Sequence, residues 1–272
     1  MPAPADPRVL VVVPARFASS RFPGKPLALL RGADGAQRPL VERSWRAACR
    51  VSEAARVVIA TDCDEIATCA RGFGAEVVMT PQHCRNGTER CAAALAALGE
   101  EVEIVVNLQG DAPLTPPALV SALIGRMRAD PTLPVCTPAL PCTPTMLRAL
   151  VEDQAAGRVG GTTVVFDAAG DALYFSKRVI PFVPQNALAE RPGAVHLHAG
   201  LYAYRPAALA AYAALPPSPL EELEGLEQLR FLDAGIRVGL AVCPMPAWDL
   251  VELNNPGDAP VIEAIMAAHG LE

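Results

Sequence analysis

Residues Val9 to Leu27 read VLVVVPARFASSRFPGKPL. The first five, Val9 to Val13, are apolar and mostly β-branched, and Pro14 closes the run. A short continuous apolar run of this kind predicts a strand buried on both faces, as at the centre of a parallel sheet. The chain then enters a loop holding Arg16, Ser19, Ser20, Arg21, a Pro-Gly pair and Lys25. In open α/β sheets, ligands bind in the crevice at the carboxyl ends of the strands. Guanidiniums fork onto phosphate oxygens, an ammonium adds a point charge, and Gly24 lets backbone approach, so the loop suits a polyphosphate. A solvated loop with scattered charge has the same composition, and the spacing alone leaves both readings open.

Composition narrows the class. The chain has 272 residues, of which 51% are hydrophobic and 19% charged, enough for one large domain with a sizeable core and too apolar for disorder. A net charge of −6 argues against a nucleic-acid partner, so an anionic ligand has to be met by local clusters of cations. The 27 prolines mark rigid loops, and residues 1 to 7, MPAPADP, read as a frayed tail. Eight cysteines occur without a C-x-x-C pair, and no long apolar segment or signal peptide is visible. The expectation is reduced thiols in a cytoplasmic protein that does not engage a membrane.

Working outward from the first strand, helical spacing over 38–51 is followed by a strand at 56–60, a helix at 64–71 and a strand at 76–79. A turn at 84–90 leads into an alanine-rich helix to about Leu98, with Asn86 or Thr88 as its cap. A strand at 103–107 and a helix at 115–128 complete a strand–helix alternation that predicts a mostly parallel, right-handed sheet. From about 133 to 200 the pattern changes to short strands and prolines, with a hairpin pairing 164–166 with 172–175. This is read as an inserted subregion of a single domain, 1–272. The chain resumes with a strand at 196–204, a helix at 206–215, one helix from the Ser218 cap to Gly235, a strand at 236–242 and a last helix. Glu221, Glu222, Glu224 and Glu227 mostly suit a solvated face.

Several residues carry chemistry. Asp111 follows a buried strand on a glycine turn, which holds an acid beside the ligand crevice where a Mg²⁺ ligand is needed, although an aspartate there also caps turns. Asn86, Gly87 and Thr88 are equally a capped turn. His196 and His198 share a strand face, but with no cysteine or third histidine nearby a metal site is not expected there.

The stretch PARFASSRFPGKPL resembles the signature loop of the CTP-using enzymes that activate acidic sugars, and most closely the 3-deoxy-manno-octulosonate cytidylyltransferase family. CRNGTER, QGDAP, LYFSKRVIP, HLHAGLYAY, LEQLR and NNPGD extend the resemblance over most of the chain from Val9 onward. It implies an α/β fold with a mostly parallel, Rossmann-like sheet and an inserted β-rich subdomain, the nucleotide-diphospho-sugar transferase type. The implied reaction is Mg²⁺-dependent: CTP and a sugar acid give CMP-sugar and pyrophosphate, for lipopolysaccharide or capsule precursors. The resemblance implies that Arg16, Arg21, Lys25 and Asp111 are catalytic. It implies that the nucleotide lies on Ala15, Arg16, Lys25, Arg85, Asn86, Gly87, Thr88 and Arg90. It places the sugar on Gln109, Lys177, His198, Tyr202, Glu227 and Gln228, the metal on Asp111 and the residue at 254, and a homodimer through the inserted region.

The sequence departs from the family at identifiable points. Asn86 replaces a serine, Ala112 an acid, and Gly161-Thr162-Thr163 an N-x-V-K-type segment. The family's second magnesium aspartate is Asn254 here, which can ligate only through a neutral amide oxygen. These departures leave room for transfer to another sugar acid, amino-substituted or sialic-acid-like, or for a nucleotide-binding relative that does not catalyse.

Overall fold

The opening apolar run forms β1 (Val9–Ala15), buried along its whole length. It lies between two parallel partners, β4 (Ala54–Thr61) and β6 (Ile104–Leu108), with Val12 opposite Val58 on one side and Asn107 on the other. The computed structural model describes residues 8–18, 22–184 and 192–272; the tail at 1–7 and Ser19, Ser20 and Arg21 lie outside them. The chain divides into two units. The first is Met1–Ser121, Tyr204–Ala210 and Pro246–Glu272, and the second is Ala122–Ala203 and Ala211–Met245.

In the first unit, β5 (Glu76–Met79) extends the sheet beyond β4, again in parallel. The crossovers contain α1 (Leu40–Cys49), α2 (Asp64–Gly72) and α3 (Gly87–Leu98), as the alternation predicts. In α1, Leu40, Val41, Ala47 and Ala48 are buried at helical spacing. A small antiparallel ribbon, β2 (Leu29–Arg31) with β3 (Gln37–Pro39), was not anticipated. Three residues per strand are too few for a period-two pattern to show. It turns near Gly35, whose φ of 77° favours glycine. The last helix, α9 (Ala259–His269), packs Ile262 and Met266 with Leu30, Leu40, Leu114 and Leu253.

The second unit is built on β7 (Val135–Pro141). It carries β12 (Val238–Val242) in parallel along Val135–Ala139 and β10 (His196–His198) antiparallel along Ala139–Pro141. Beyond β10 follow β8 (Thr162–Phe166) and β9 (Ala172–Ser176), the expected hairpin. Its turn is held by Asp167, whose Oδ1 accepts from the Ala169 and Asp171 N–H groups. The expected subregion at 133–200 falls within this unit. The helices expected at 115–128 and 206–215 are α4 (Pro117–Ala129) and α6 (Pro206–Ala214). Among the described residues, no helix is long and apolar enough to cross a membrane.

Three expectations are corrected. The proline-rich stretch read as strands contains α5 (Pro144–Ala155). Thr143 caps it by accepting from the Met146 N–H, and Pro144 occupies a first-turn position where a missing N–H costs nothing. The strand expected over 196–204 is interrupted at Ala199-Gly200, giving β10 and β11 (Leu201–Tyr204). The single helix expected from Ser218 to Gly235 is two, α7 (Pro219–Glu224) and α8 (Leu229–Asp233). Gly225 adopts φ 61° and its N–H bonds to Glu221 O, the left-handed close that ends a helix. Glu227 and Gln228 therefore sit in a break.

Candidate functional site

In the first unit, the loop after β1 folds back on itself before it reaches Lys25. Gly24, in the left-handed region at φ 69°, donates its N–H to Phe17 O, and Lys25–Leu27 forms a 3-10 turn with Pro26 buried. This directs Lys25 Nζ to within 2.6 Å of Asp111 Oδ2. The two side chains are only 13% and 26% exposed, so the pair is partly shielded from water.

Asp111 is held by its turn. A Cβ on Gly110 would run into the Pro14 carbonyl oxygen, so only glycine lets the strand ends approach this closely. The Gly110 carbonyl accepts from the buried Ser44 hydroxyl at 2.9 Å, and the Asp111 carbonyl accepts from the Leu253 N–H at 2.9 Å. The second bond, with the burial of Leu253, ties the 252–258 segment to the aspartate. Within that segment, Asp258 Oδ2 accepts from the Asn254 and Asn255 N–H groups at 2.8 and 2.6 Å and so closes the turn. Asn254 Nδ2 lies 3.4 Å from Glu252 Oε2.

The turn before α3 lies close to the same loop, since Arg16 Nη1 reaches Arg85 O at 3.4 Å. Asn86, not Thr88, is the cap, accepting from the Glu89 N–H at 2.9 Å. Glu89 in turn accepts from the Arg85 main chain and pairs with its guanidinium. A Cβ on Gly87 would lie 2.8 Å from Gln109 Nε2 and 2.9 Å from Asn107 Nδ2, so the expected nucleotide turn and the expected sugar-facing Gln109 are adjacent.

Two residues expected at the nucleotide are committed inside the protein. The Arg90 guanidinium is buried against Thr80 Oγ1 at 2.6 Å and Asp62 Oδ2 at 2.9 Å. The fully buried Thr88 hydroxyl is 2.7 Å from Tyr204 Oη, to which Asn107 Nδ2 also points at 3.4 Å. These side chains anchor the first turns of α3. Asn107 and Ser44 carried little signal in sequence, apart from an amide at the end of an apolar strand.

The second unit gathers the other expected residues. The end of β9 is fastened by Glu224, which accepts from the Ser176 hydroxyl at 2.7 Å and from the Lys177 N–H at 2.9 Å. Lys177 Nζ rests over Gly225, where a Cβ would come within 2.9 Å of it. The Tyr202 hydroxyl donates to Gln228 Oε1 at 3.0 Å, and the His198 ring lies 5.5 Å from that of Tyr202. Gln228 Nε2 is buried without a hydrogen-bond partner among the described residues. His198 Nε2 is 2.8 Å from the Thr137 hydroxyl, and burial pushes its pKa down to about 3, so the ring is neutral at neutral pH.

The break carrying Glu227 and Gln228 is held from beneath. Arg230 forks onto Glu221 at 2.6 and 2.5 Å and lies 4.1 Å above the Tyr212 ring, whose hydroxyl donates to Glu227 O at 3.2 Å. Glu221, expected on a solvated face, is the 12% exposed counter-ion of a buried arginine. The correction follows from the helix break, which turns Arg230 back toward α7.

Residues 10–238 match the model of the cytidylyltransferase family. A 3-deoxy-manno-octulosonate cytidylyltransferase of Maricaulis maris is 43% identical over 96% of this chain and 98% of its own length. One from Zea mays is 36% identical over 97% and 83%. A solved structure of CMP:2-keto-3-deoxy-manno-octonic acid synthetase complexed with CTP superposes with a TM-score of 0.81 at 33% identity, covering 96% of this chain and 99% of that one. A 4-diphosphocytidyl-2C-methyl-D-erythritol synthase from Anaerococcus prevotii, at 14% identity and TM-score 0.57 over 96% and 98% of the two chains, shares the fold alone. The chain is a nucleotidyltransferase that belongs to the cytidylyltransferase family, in the branch of the 3-deoxy-manno-octulosonate cytidylyltransferases.

Proposed function

We propose that this chain transfers CMP from CTP to 3-deoxy-manno-octulosonate, releasing pyrophosphate. The observation that carries the reading is the Lys25–Asp111 pair, which places a cation and a carboxylate together at the carboxyl ends of β1 and β6. The names of the relatives support the nucleotide and the sugar. The sugar's anomeric hydroxyl oxygen attacks the α-phosphorus in line. The bond from that phosphorus to the bridging oxygen breaks, pyrophosphate departs, and the hydroxyl proton passes to solvent. Lys25 and Arg16 neutralise the phosphates, and catalysis rests on positioning and charge compensation.

The residues fit Mg²⁺. Among the described residues no cluster of three acids, histidines or cysteines forms a protein cage, and Asp111 is a single part-exposed carboxylate. Mg²⁺ commonly takes one or two protein oxygens and completes its shell with phosphates and water. Asp111 would hold it, with Asn254 or Glu252 from the adjoining segment, and the ion would supply positive charge to the triphosphate.

Lys177, His198, Tyr202, Glu227 and Gln228 would bind the sugar acid. Exposed Leu173, Phe182 and Leu223 in the second unit support a homodimer through that unit, measurable by sedimentation. All eight cysteines are thiols, which suits a reducing compartment such as the cytoplasm; the role in lipopolysaccharide precursor synthesis is what the family resemblance implies.

The test is pyrophosphate release with CTP or UTP against a panel of sugar acids that includes amino-substituted and sialic-acid relatives. Mg²⁺-dependent turnover of 3-deoxy-manno-octulosonate with CTP preferred is expected. A faster reaction with another member of the panel would overturn the sugar assignment.

A further inference from the structure

The Thr137 hydroxyl, in β7, has one proton and two hydrogen-bond partners. It lies 2.7 Å from Leu201 O and 2.8 Å from His198 Nε2. A main-chain carbonyl only accepts, so the hydroxyl proton points to Leu201 O. The bond to the ring must then run the other way, with Nε2–H donating to Thr137 Oγ1. A neutral imidazole carries one proton, so the opposite nitrogen, Nδ1, is left as an acceptor.

The rest of the environment agrees. The His198 ring is met by the edge of Phe175 at 5.0 Å and by Tyr202 at 5.5 Å, and no charged side chain contributes to the fall in its pKa. Nδ1 has no hydrogen-bond partner among the described residues. Through Tyr202 the ring is linked to Gln228, whose buried Nε2 is a donor without a partner.

We infer that Thr137 is a positioning residue that locks His198 in the Nε2–H tautomer, so that Nδ1 accepts a hydrogen bond from a sugar hydroxyl. The inference rests on the proposed sugar-acid substrate. It gives the histidine a definite polarity: it reads a donor on the substrate, and the substrate's carboxylate has to be met elsewhere. Gln228 Nε2 supplies the complementary donor. A histidine that could switch tautomer would accept either polarity of partner and discriminate less.

The experiment uses the full chain with ¹⁵N-labelled histidine and long-range ¹H–¹⁵N correlation spectra, with His198 assigned by the loss of its signals in His198→Gln. The wild type is expected to show one neutral tautomer protonated at Nε2. Saturating 3-deoxy-manno-octulosonate should move the Nδ1 resonance. Thr137→Ser should keep the tautomer, whereas Thr137→Val should lose it and raise the KM for the sugar about tenfold, with kcat and the KM for CTP close to wild type.

A wild-type ring protonated at Nδ1, or a mixture of tautomers, would overturn the inference without any variant needing to fold. So would an unmoved Nδ1 resonance in an enzyme that turns the sugar over. If the Nε2 tautomer is seen but no sugar acid is turned over, the substrate assignment fails and the sugar contact fails with it.

Discussion

Lys25 Nζ and Asp111 Oδ2 stand 2.6 Å apart, each neutralising the other across the gap between the first loop and the turn after β6. The pairing has a consequence for both partners. A triphosphate offers Lys25 a second anion, and a cation that arrives with it competes with Lys25 for the carboxylate.

Lys25→Ala should therefore have two effects of opposite sign. Turnover should fall about a hundredfold, on the order of 3 kcal/mol of lost phosphate stabilisation. Affinity for Mn²⁺, used as a spectroscopic probe in the absence of CTP, should rise because Asp111 has lost its competing cation. Arg16→Ala, on a more exposed side chain, should cost about tenfold. Steady-state kinetics and Mn²⁺ titration check these; unchanged turnover in both variants would refute the phosphate-loop assignment.

At the proposed metal, Asp111→Asn should weaken Mg²⁺ affinity most, Asn254→Ala less, and Asn254→Asp should strengthen it, because hard cations gain with each ligand charge. Asp258 is occupied in closing its turn, so Asp258→Asn should lower thermal stability more than Mg²⁺ affinity. Glu252→Gln is the control. A rise in half-saturating Mg²⁺ in that variant, with Asn254→Ala normal, would transfer the second ligand to Glu252.

The Glu221–Arg230 pair should be a stability determinant. Arg230→Met leaves a buried carboxylate without its cation and Glu221→Gln the reverse, and each should cost about 3 kcal/mol. Urea unfolding measures this, and the double variant should recover part of the loss. The KM for the sugar should rise in the single variants, since the pair supports the break that carries Glu227 and Gln228.

His198 should make stability fall in mild acid. Its folded pKa, about 3, lies below the ordinary value of 6.5. Above the unfolded pKa neither state is protonated and the ring contributes no pH dependence. Below it, the unfolded chain takes up a proton that the folded chain refuses, so stability drops as pH falls toward 3, with a slope of up to about 1.4 kcal/mol per unit. Urea midpoints for wild type and His198→Gln between about pH 7 and about pH 5 should converge. A constant difference between them would contradict the buried neutral ring.

Much of this was legible in the linear chain. The apolar β1 run, the alternation through β6 and the Q-G-D turn are local signals: a buried strand needs a continuous apolar run, and a close strand approach needs glycine. The alternation, α9 and the β8–β9 hairpin followed from periodicity and turn residues. Lys25 and Asp111 stood out from their own chemistry and position, whereas His198, Tyr202 and Gln228 were singled out only by the resemblance to the family.

Only the tertiary structure decided what those residues do to one another. Nothing in residue order says that Lys25 is paired with Asp111, 86 positions away, or that Arg90 and Thr88 turn inward to Asp62 and Tyr204. Helical periodicity runs through Gly225, and only the observed left-handed φ, with Glu221 turned onto Arg230, shows why the helix stops there. The polarity of His198 depends on a threonine 61 positions away and on a carbonyl that can only accept. Local periodicity and turn chemistry are properties of neighbours in the chain, whereas ion pairs, tautomers and buried counter-ions are properties of neighbours in space.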